Sequence, residues 1–260
     1  MSSLLNRLVA TGALLIGLGM SAAHAQTVSI GGAVLKPGDY QWQPGARLRD
    51  AAVAGQVRAS AWPLGAALLR QSAIEPQQRL KAGVLFDLRI NKMYAQTQND
   101  PQLRELIERL EAFVEPLPVT GRVKAELNPF QLLVKSNNHL LEAGDKLLYP
   151  TRPTSVRVMG AVASDCVLSF DAALGIKDYL RQCPAHPAAD RNYLYIIQPD
   201  GAAERIGMAH WNQQQGHVAV GGILYVPLNP SDISPDTADL NDDIANFLAT
   251  QYQLGGLHAE

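Results

Sequence analysis

Residues 31–55 read GGAVLKPGDYQWQPGARLRDAAVAG, and this stretch decides the fold. An apolar strand ends in a Pro-Gly turn, an aromatic strand ends in a second Pro-Gly turn, and an amphipathic helix follows. The pattern predicts a β-hairpin crossed by one helix. When later strands join the same sheet, this is the β-grasp arrangement, an α+β fold.

The same unit occurs a second time in the chain. When the chain is aligned with itself so that Gly32 falls on Gly160, Asp50 falls on Asp178, and apolar positions match between them. A third strand after the helix is also shared in this alignment. We therefore interpret the chain as two copies of one structural unit.

Each copy closes with a similar strand. The segment LEAGDKLLYPTRP at 141–153 matches VAVGGILYVPLNP at 218–230, so that Gly144 falls on Gly221. These closing segments lie closer together in the chain than the opening ones do, so the first copy carries extra residues before its closing strand. We predict two tandem β-grasp domains, over 26–154 and 155–232, with an insertion in the first.

The insertion is predicted to be a helical hairpin over about 73–117. Asp100 is a good N-cap, Pro101 suits the first helical position, and apolar residues then recur at helical spacing. An insertion at the tip of a surface hairpin costs little stability. We expect this hairpin to project as an exposed arm, suited to interaction more than to the core.

A C-terminal amphipathic helix is predicted over 233–254, with Ser234 as its N-cap and Gly255 after its end. Its polar face is acidic, which argues against binding to an anionic membrane surface. The apolar stripe either docks on the second domain, which we favour, or is kept for a partner. This candidate interaction stripe consists of Leu240, Ile244, Phe247, Leu248 and Tyr252.

Residues 1–25 carry the regions of a secretory signal peptide. Arg7 supplies the positive charge, an apolar stretch reaches Met20, and an Ala-x-Ala cleavage site ends at Ala25. Cleavage after Ala25 predicts a periplasmic mature protein. It would begin with Gln26 and not with the Cys of a lipoprotein, and no later stretch of sequence is apolar enough to span a bilayer.

The two cysteines of the chain, Cys166 and Cys183, form a disulfide candidate for an oxidising compartment. In a β-grasp unit Cys166 falls in the first turn and Cys183 at the helix end. Four strand steps of about 3.3 Å and eight helix steps of about 1.5 Å cover similar distances, so the two side chains should meet. The first copy has Gly38 and Gly55 at these places. Two free thiols and a redox pair are the alternatives.

The sequence carries no recognisable catalytic motif. It contains no G-x-S-x-G elbow, Walker loop or dinucleotide fingerprint, and the spacing of His210 and His217 does not suit a zinc site. We predict no catalytic residue, metal or cofactor. The net charge of −2 gives no electrostatic footprint for nucleic acid.

The three tryptophans are the candidates for contact with a ligand, because aromatic faces stack on sugar rings. Trp42, Trp62 and Trp211 are therefore candidate contacts for a glycan or a protein partner. Each has an alternative role in the core. Trp42, for example, alternates with Tyr40 on a strand, so both side chains would share one face.

The stretch over 31–55 resembles an SLBB-type β-grasp repeat, the soluble-ligand-binding module of polysaccharide export proteins. The order of the two units and the insertion along this chain resembles the order found in the GfcC-like capsule biosynthesis family. So do IIQPDG at 196–201, AHWN at 209–212, YVPL at 225–228 and the C-terminal helix.

The resemblance implies a non-enzymatic periplasmic accessory protein of capsule or exopolysaccharide biosynthesis, assembly and export. Such a protein would bind an export or capsule-assembly partner, or the polysaccharide itself. One alternative is a subunit of a Wza-type outer-membrane export channel. The sequence departs from those exporters because it lacks a lipoprotein cysteine and an additional export domain before the first repeat. A glycan-processing enzyme is the third alternative.

Overall fold

The computed structural model describes residues 26–254, which form two β-grasp domains with one five-stranded sheet each. The predicted signal peptide over 1–25 lies outside the described residues, and so does Gly255. The first sheet contains β1 (Thr27–Gly32), β2 (Gly38–Gln41), β3 (Ala67–Leu69), β4 (Arg122–Val123) and β5 (Lys146–Tyr149). The second contains β6 (Ser155–Gly160), β7 (Cys166–Ser169), β8 (Tyr193–Ile197), β9 (Ala203–Gly207) and β10 (Ile223–Val226).

The two sheets have the same topology. Their strand orders are β2-β1-β5-β3-β4 and β7-β6-β10-β8-β9, with a parallel pair between the first and last strand of each copy. Val28 pairs with Tyr40 in the first sheet, and Val156 pairs with Leu168 in the second. The internal repeat and its alignment are therefore confirmed. One helix crosses each sheet: α1 (Leu48–Gly55) in the first domain and α4 (Ile176–Gln182) in the second.

A glycine shared by both copies ends the first strand of each unit. Gly32 has φ +82° and Gly160 has φ +102°, a region that favours glycine. A Cβ added to Gly32 would lie 2.2 Å from the carbonyl oxygen of Tyr149, and one on Gly160 would lie 2.3 Å from that of Val226. The close approach of the closing strand therefore requires glycine at this position.

The predicted disulfide between Cys166 and Cys183 is present, and their Cα atoms lie 6.0 Å apart. It joins the start of β7 to the end of α4. In the first domain Gly55 is packed so closely that an added Cβ would lie 2.8 Å from the Ile30 side chain. The first copy therefore has no room for a side chain at Gly55, the counterpart of Cys183, whereas a Cβ added to Gly38, the counterpart of Cys166, would meet nothing within 4 Å.

The insertion forms the predicted helical hairpin, with α2 (Ile74–Thr97) and α3 (Pro101–Val114). The Asp100 carboxylate accepts a hydrogen bond from the Leu103 N–H at 2.9 Å, so the predicted N-cap is confirmed. The expectation of a projecting arm is wrong. Leu88, Leu106 and Ile107 are at most 2% exposed and belong to the same apolar core as the second sheet.

The hairpin reaches the second domain because its apolar stripe needs cover that the first sheet does not give. On α3, the Arg109 guanidinium donates to the carbonyl oxygens of Ala163, at 2.7 Å, and Gly160, at 3.2 Å. On α2, the buried Asn91 amide accepts from the Ser234 N–H and donates to the Thr237 hydroxyl, both at 2.7 Å. Both helices are therefore fastened to the C-terminal half of the chain.

The C-terminal helix is shorter than the predicted 233–254. Ser234 caps a 3-10 turn over Pro235–Thr237, and α5 (Leu240–Ala249) begins only after it. The turn stays separate from the helix because α2 holds it through Asn91. Within residues 26–254, no helix combines the length and the apolar character needed to cross a membrane.

The apolar stripe of α5 docks on the protein itself. Phe247 and its helical neighbours on the stripe are at most 1% exposed, between α2 and the second sheet. The buried Asn241 amide accepts from the Leu228 N–H at 2.9 Å and donates to its carbonyl oxygen at 2.8 Å, which ties α5 to the end of β10. Tyr252, the fifth predicted stripe residue, follows the helix and is half-buried.

A buried guanidinium joins the two domains. Arg122 on β4 is 7% exposed and donates to the carbonyl oxygen of Pro199, in the turn between β8 and β9. The same side chain lies 3.4 Å from the carbonyl oxygens of Ala66 and Ala249. Burial lowers the pKa of Arg122 to about 10, so the group remains charged at neutral pH.

We expect Asn91→Leu to lower the free energy of unfolding by about 1–3 kcal/mol. The leucine has a similar size but leaves the Ser234 N–H and the Thr237 hydroxyl without their buried partner. Urea unfolding followed by circular dichroism measures the change. Gln96→Leu, at an exposed position of α2, is the control and should stay within about 0.5 kcal/mol of wild type. Equal stability of the two variants would contradict the fastening role.

Candidate functional site

A groove opens in the first domain between β2 and α1. Its volume of ≈ 490 Å³ lies within the range of about 300–1,000 Å³ that small-molecule sites occupy. The walls come from the aromatic strand, the turn after it, one side of α1 and Leu141. The lining residues are Val28, Tyr40–Ala46, Asp50, Ala51, Ala54 and Leu141. We call it the Trp42 groove.

Trp42 is held in a fixed orientation at the wall of the groove. Its indole N–H donates to the carbonyl oxygen of Leu141 at 3.1 Å, and its main-chain N–H donates to Gln26 at 2.8 Å. The ring is half-buried and packs against the first core. A ring held in this way loses little conformational freedom when a ligand stacks on it.

Tyr40 forms the second aromatic part of the wall. Its hydroxyl oxygen lies 2.6 Å from the carbonyl oxygen of Lys36 and 3.2 Å from that of Ala54 at the end of α1. The side chain therefore spans the gap between the strand and the helix. Together with Trp42 it gives the groove an apolar aromatic surface with polar main-chain groups at its rim.

The groove stays open because α1 presents small residues to it. Ala51 and Ala54 line it, whereas Leu48 faces the core. Asp50 is the only charged residue among the described residues that line the groove. One oxygen of its carboxylate accepts from the Arg47 N–H at 2.9 Å and so caps the first turn of α1. Its main role is therefore structural.

The other two tryptophans lie elsewhere. The ring of Trp62 is half-buried, and the guanidinium of Arg152 stands 4.8 Å from its centre. Trp211 lies in the second domain, 72% exposed, with its ring edge-on to Tyr193 at 6.3 Å. The structure therefore brings no two of the three predicted contact residues into one site.

A second groove, of ≈ 410 Å³, lies in the second domain beside the start of α4. Glutamines, aliphatic side chains, Lys177 and His217 line it, and no Trp, Tyr or Phe ring is among the described lining residues. It therefore lacks the large aromatic wall that the Trp42 groove has. The lining residues are Gly175–Lys177, Ile206, Met208 and Gln213–His217.

No group of three or more His, Cys, Asp or Glu side chains in residues 26–254 is placed to hold a metal ion. In the Trp42 groove the carboxylate of Asp50 stands without a second carboxylate among the described lining residues. Glycoside hydrolysis generally needs two carboxyl groups on either side of the scissile bond. The arrangement can therefore hold and orient a ring, and it lacks a carboxylate pair.

Sequence reasoning found Trp42 but missed the residues that make the groove. Ala51 and Ala54 carry no functional group, so no motif marks them. The signal lies in the comparison of the two copies, because their alignment places Ala51 opposite Tyr179 and Ala54 opposite Gln182. A large side chain in one copy and a small one in the other indicates a filled and an open site.

The fold and the groove define a tandem β-grasp protein with an inserted helical hairpin. Residues 165–252 match the family described as "Capsule biosynthesis GfcC C-terminal". The chain is also 28% identical over 196 residues to "Uncharacterized protein YjbG" of Escherichia coli (strain K12), covering 75% of this chain and 78% of that protein. The C-terminal part of this chain, over 165–252, is therefore similar to a family of capsule biosynthesis proteins.

Proposed function

We propose that this protein is a non-enzymatic periplasmic accessory factor of capsule or exopolysaccharide biosynthesis, and that it binds the glycan in the Trp42 groove. The observation that carries the proposal is the fixed aromatic wall formed by Tyr40 and Trp42 beside an open, largely uncharged space. Sugar rings present apolar C–H faces and polar rims, and this surface is complementary to both. The capsule-related family supports a glycan as the ligand.

The chemistry of the groove favours binding over catalysis. Asp50 supplies a single carboxylate there, and one of its oxygens is engaged by the main chain of Arg47. Glycoside hydrolysis generally needs a second carboxyl group on the other side of the scissile bond. The described lining residues of the groove do not supply it, which supports a non-enzymatic role.

The packing of α5 argues against the alternative of a Wza-type channel subunit. Such a subunit would present the apolar stripe of its C-terminal helix to lipid or to a neighbouring subunit. Here Leu240 and Phe247 are each 0% exposed and covered by α2 and the second sheet. Opening this core would expose a large apolar surface to water at a considerable cost in free energy.

The periplasmic location in this proposal follows from the signal peptide predicted from the sequence. The Cys166–Cys183 disulfide and the capsule-related family are consistent with export. Disulfides persist in the periplasm and are rare in the reducing cytosol. A secretory accessory protein of this kind would meet the polysaccharide on its way to the cell surface.

We expect Trp42→Ala to weaken binding of polysaccharide purified from the producing bacterium by about tenfold, because aromatic stacking contributes about 0.5–1.5 kcal/mol beyond the area buried. Trp42→Phe should retain most of the binding, since a ring remains. Isothermal titration calorimetry measures the affinities. A thermal melt of each variant checks that the first domain remains folded.

Trp211→Ala is the matched control, because it removes an exposed ring of the same size from the second domain. It should bind the polysaccharide as the wild type does. Loss of binding in Trp211→Ala and retention in Trp42→Ala would place the glycan on the second domain and contradict the assigned groove. Absence of binding to the wild-type protein would contradict the glycan as ligand and favour a protein partner of the export machinery.

A further inference from the structure

The second domain contains a filled counterpart of the Trp42 groove. Tyr179 on α4 occupies the position that Ala51 has on α1, and its side chain is 1% exposed. Its hydroxyl accepts from the main-chain N–H of Asp171 at 2.9 Å and lies 3.0 Å from the carbonyl oxygen of the same residue, to which it donates. The phenol ring thus extends from the helix to the turn after the second strand.

The turn that receives this hydroxyl closes with the same main-chain hydrogen bond in both copies, although Gly45 has φ +92° and its counterpart Ala173 does not lie in this region. Asp171 corresponds to Gln43, which lines the Trp42 groove. The Leu174 N–H donates to the Asp171 carbonyl at 3.1 Å, and the Ala46 N–H donates to the Gln43 carbonyl at 3.0 Å. The polar main-chain groups that bind the tyrosine hydroxyl in the second domain are therefore present at the rim of the open groove.

The helix that carries position 51 is also anchored in the same way. The Arg47 N–H donates to Asp50 at 2.9 Å, and the Gly175 N–H donates to Asp178 at 2.7 Å. Because the closing hydrogen bond of the turn and the cap of the helix match, the space between them is bounded by corresponding main-chain groups in both copies, although the turns differ in conformation at Gly45 and Ala173. One copy fills this space with its own six-membered ring, and the other leaves it empty at Ala51.

We propose that the Trp42 groove takes one neutral pyranose ring of the glycan in the place that the Tyr179 ring occupies in the second domain. This inference rests on the proposed function and specifies its ligand. An equatorial hydroxyl of the sugar lies near the ring plane, as the phenol hydroxyl does, and bonds to the N–H and carbonyl groups of Gln43. The sugar face stacks against the aromatic wall.

The charge of the groove selects a neutral sugar. Asp50 contributes a negative charge at the rim, and no cation lines the groove within the described part of the chain. A uronic acid would bring a second negative charge to this rim without a partner. The groove therefore favours a hexose or an N-acetylhexosamine over an acidic ring.

The test uses three small probes with the mature protein. The first is 4-methylphenol, the free analogue of the tyrosine side chain. The other two are a methyl hexopyranoside and a methyl hexuronide. We expect the first two to shift the amide NMR signals of Gln43 and Ala51, and the hexuronide to bind more weakly. Ala51→Tyr should abolish the shifts from 4-methylphenol and weaken binding of the hexopyranoside by about tenfold or more. Val53→Tyr, which adds the same ring at an exposed position of α1, should bind as the wild type does.

Unchanged binding of 4-methylphenol to a folded Ala51→Tyr variant would overturn the proposal, and so would probe-induced shifts that avoid Gln43 in the wild type. The wild-type measurement decides the matter even where Ala51→Tyr does not fold. Tighter binding of the hexuronide would overturn the preference for a neutral ring. Hexopyranoside binding at Gln43 without polysaccharide binding would leave this inference standing while the proposed function fails. If Ala51→Tyr left polysaccharide binding unchanged, the proposed function would stand while this inference fails.

Discussion

Phe247→Asp is expected to destabilise the protein by about 4 kcal/mol or more, a large part of the stability of an ordinary domain. Phe247 is 0% exposed and lies in the core that α5 shares with α2 and the second sheet. The substitution removes a large apolar side chain and places a carboxylate among apolar neighbours. Urea or thermal unfolding of the monomer measures the loss.

Asn246→Asp is the matched control, because it adds the same carboxylate at the neighbouring exposed position of α5. It should change the free energy of unfolding by about 0.5 kcal/mol or less. Sedimentation should show a monomer of unchanged size for Asn246→Asp. A Phe247→Asp protein that unfolds as the wild type does but loses an oligomer would mean that α5 serves a partner surface and not its own domain.

Removal of the disulfide is expected to have the second-largest effect. The bridge closes a loop between residues separated by 17 positions, and a loop of that size restricts the unfolded chain by about 3 kcal/mol. We therefore expect the double variant Cys166→Ser, Cys183→Ser to lose about 3 kcal/mol of unfolding free energy. Urea unfolding with and without a reducing agent measures it.

The wild-type protein provides the control for this experiment. Reducing agent should lower its stability to that of the double serine variant and should leave the variant unchanged. Alkylation of the unreduced wild type, followed by mass spectrometry, should label neither cysteine. Two labelled thiols in the unreduced protein, or a wild type indifferent to reductant, would contradict the bridge.

Much of the fold follows from local sequence patterns. The repeat can be recognised because both copies need glycine where the closing strand approaches, at Gly32 and Gly160. Both copies also have the same alternation of apolar residues around this glycine. Asp100 marks the start of α3 because capping acts within one turn of helix. The cysteine pair is predictable because the geometry of one unit fixes the distance between its first turn and its helix end.

The arrangement of these elements in space is harder to predict from the sequence. The apolar stripe of α3 indicates that something must cover it, but a stripe carries no information about which surface does so. The same limit applies to the groove. Trp42 is conspicuous in the sequence, whereas Ala51 makes the groove by being small, and only its comparison with Tyr179 reveals that role. The signal peptide over 1–25 remains a prediction.

The position of the helical hairpin has a consequence for the order of folding. The hairpin is encoded inside the first repeat, yet its apolar face is completed by α5, which ends only at Ala249. During synthesis, which starts at the N-terminus, the apolar side chains of Leu106 and its neighbours must therefore remain exposed to water until α5, almost the last part of the chain, has been made. The two repeats therefore cannot fold one after the other as independent folding units. We expect the chain to need protection from aggregation during that interval, because an exposed apolar surface on a partly formed chain associates readily with others.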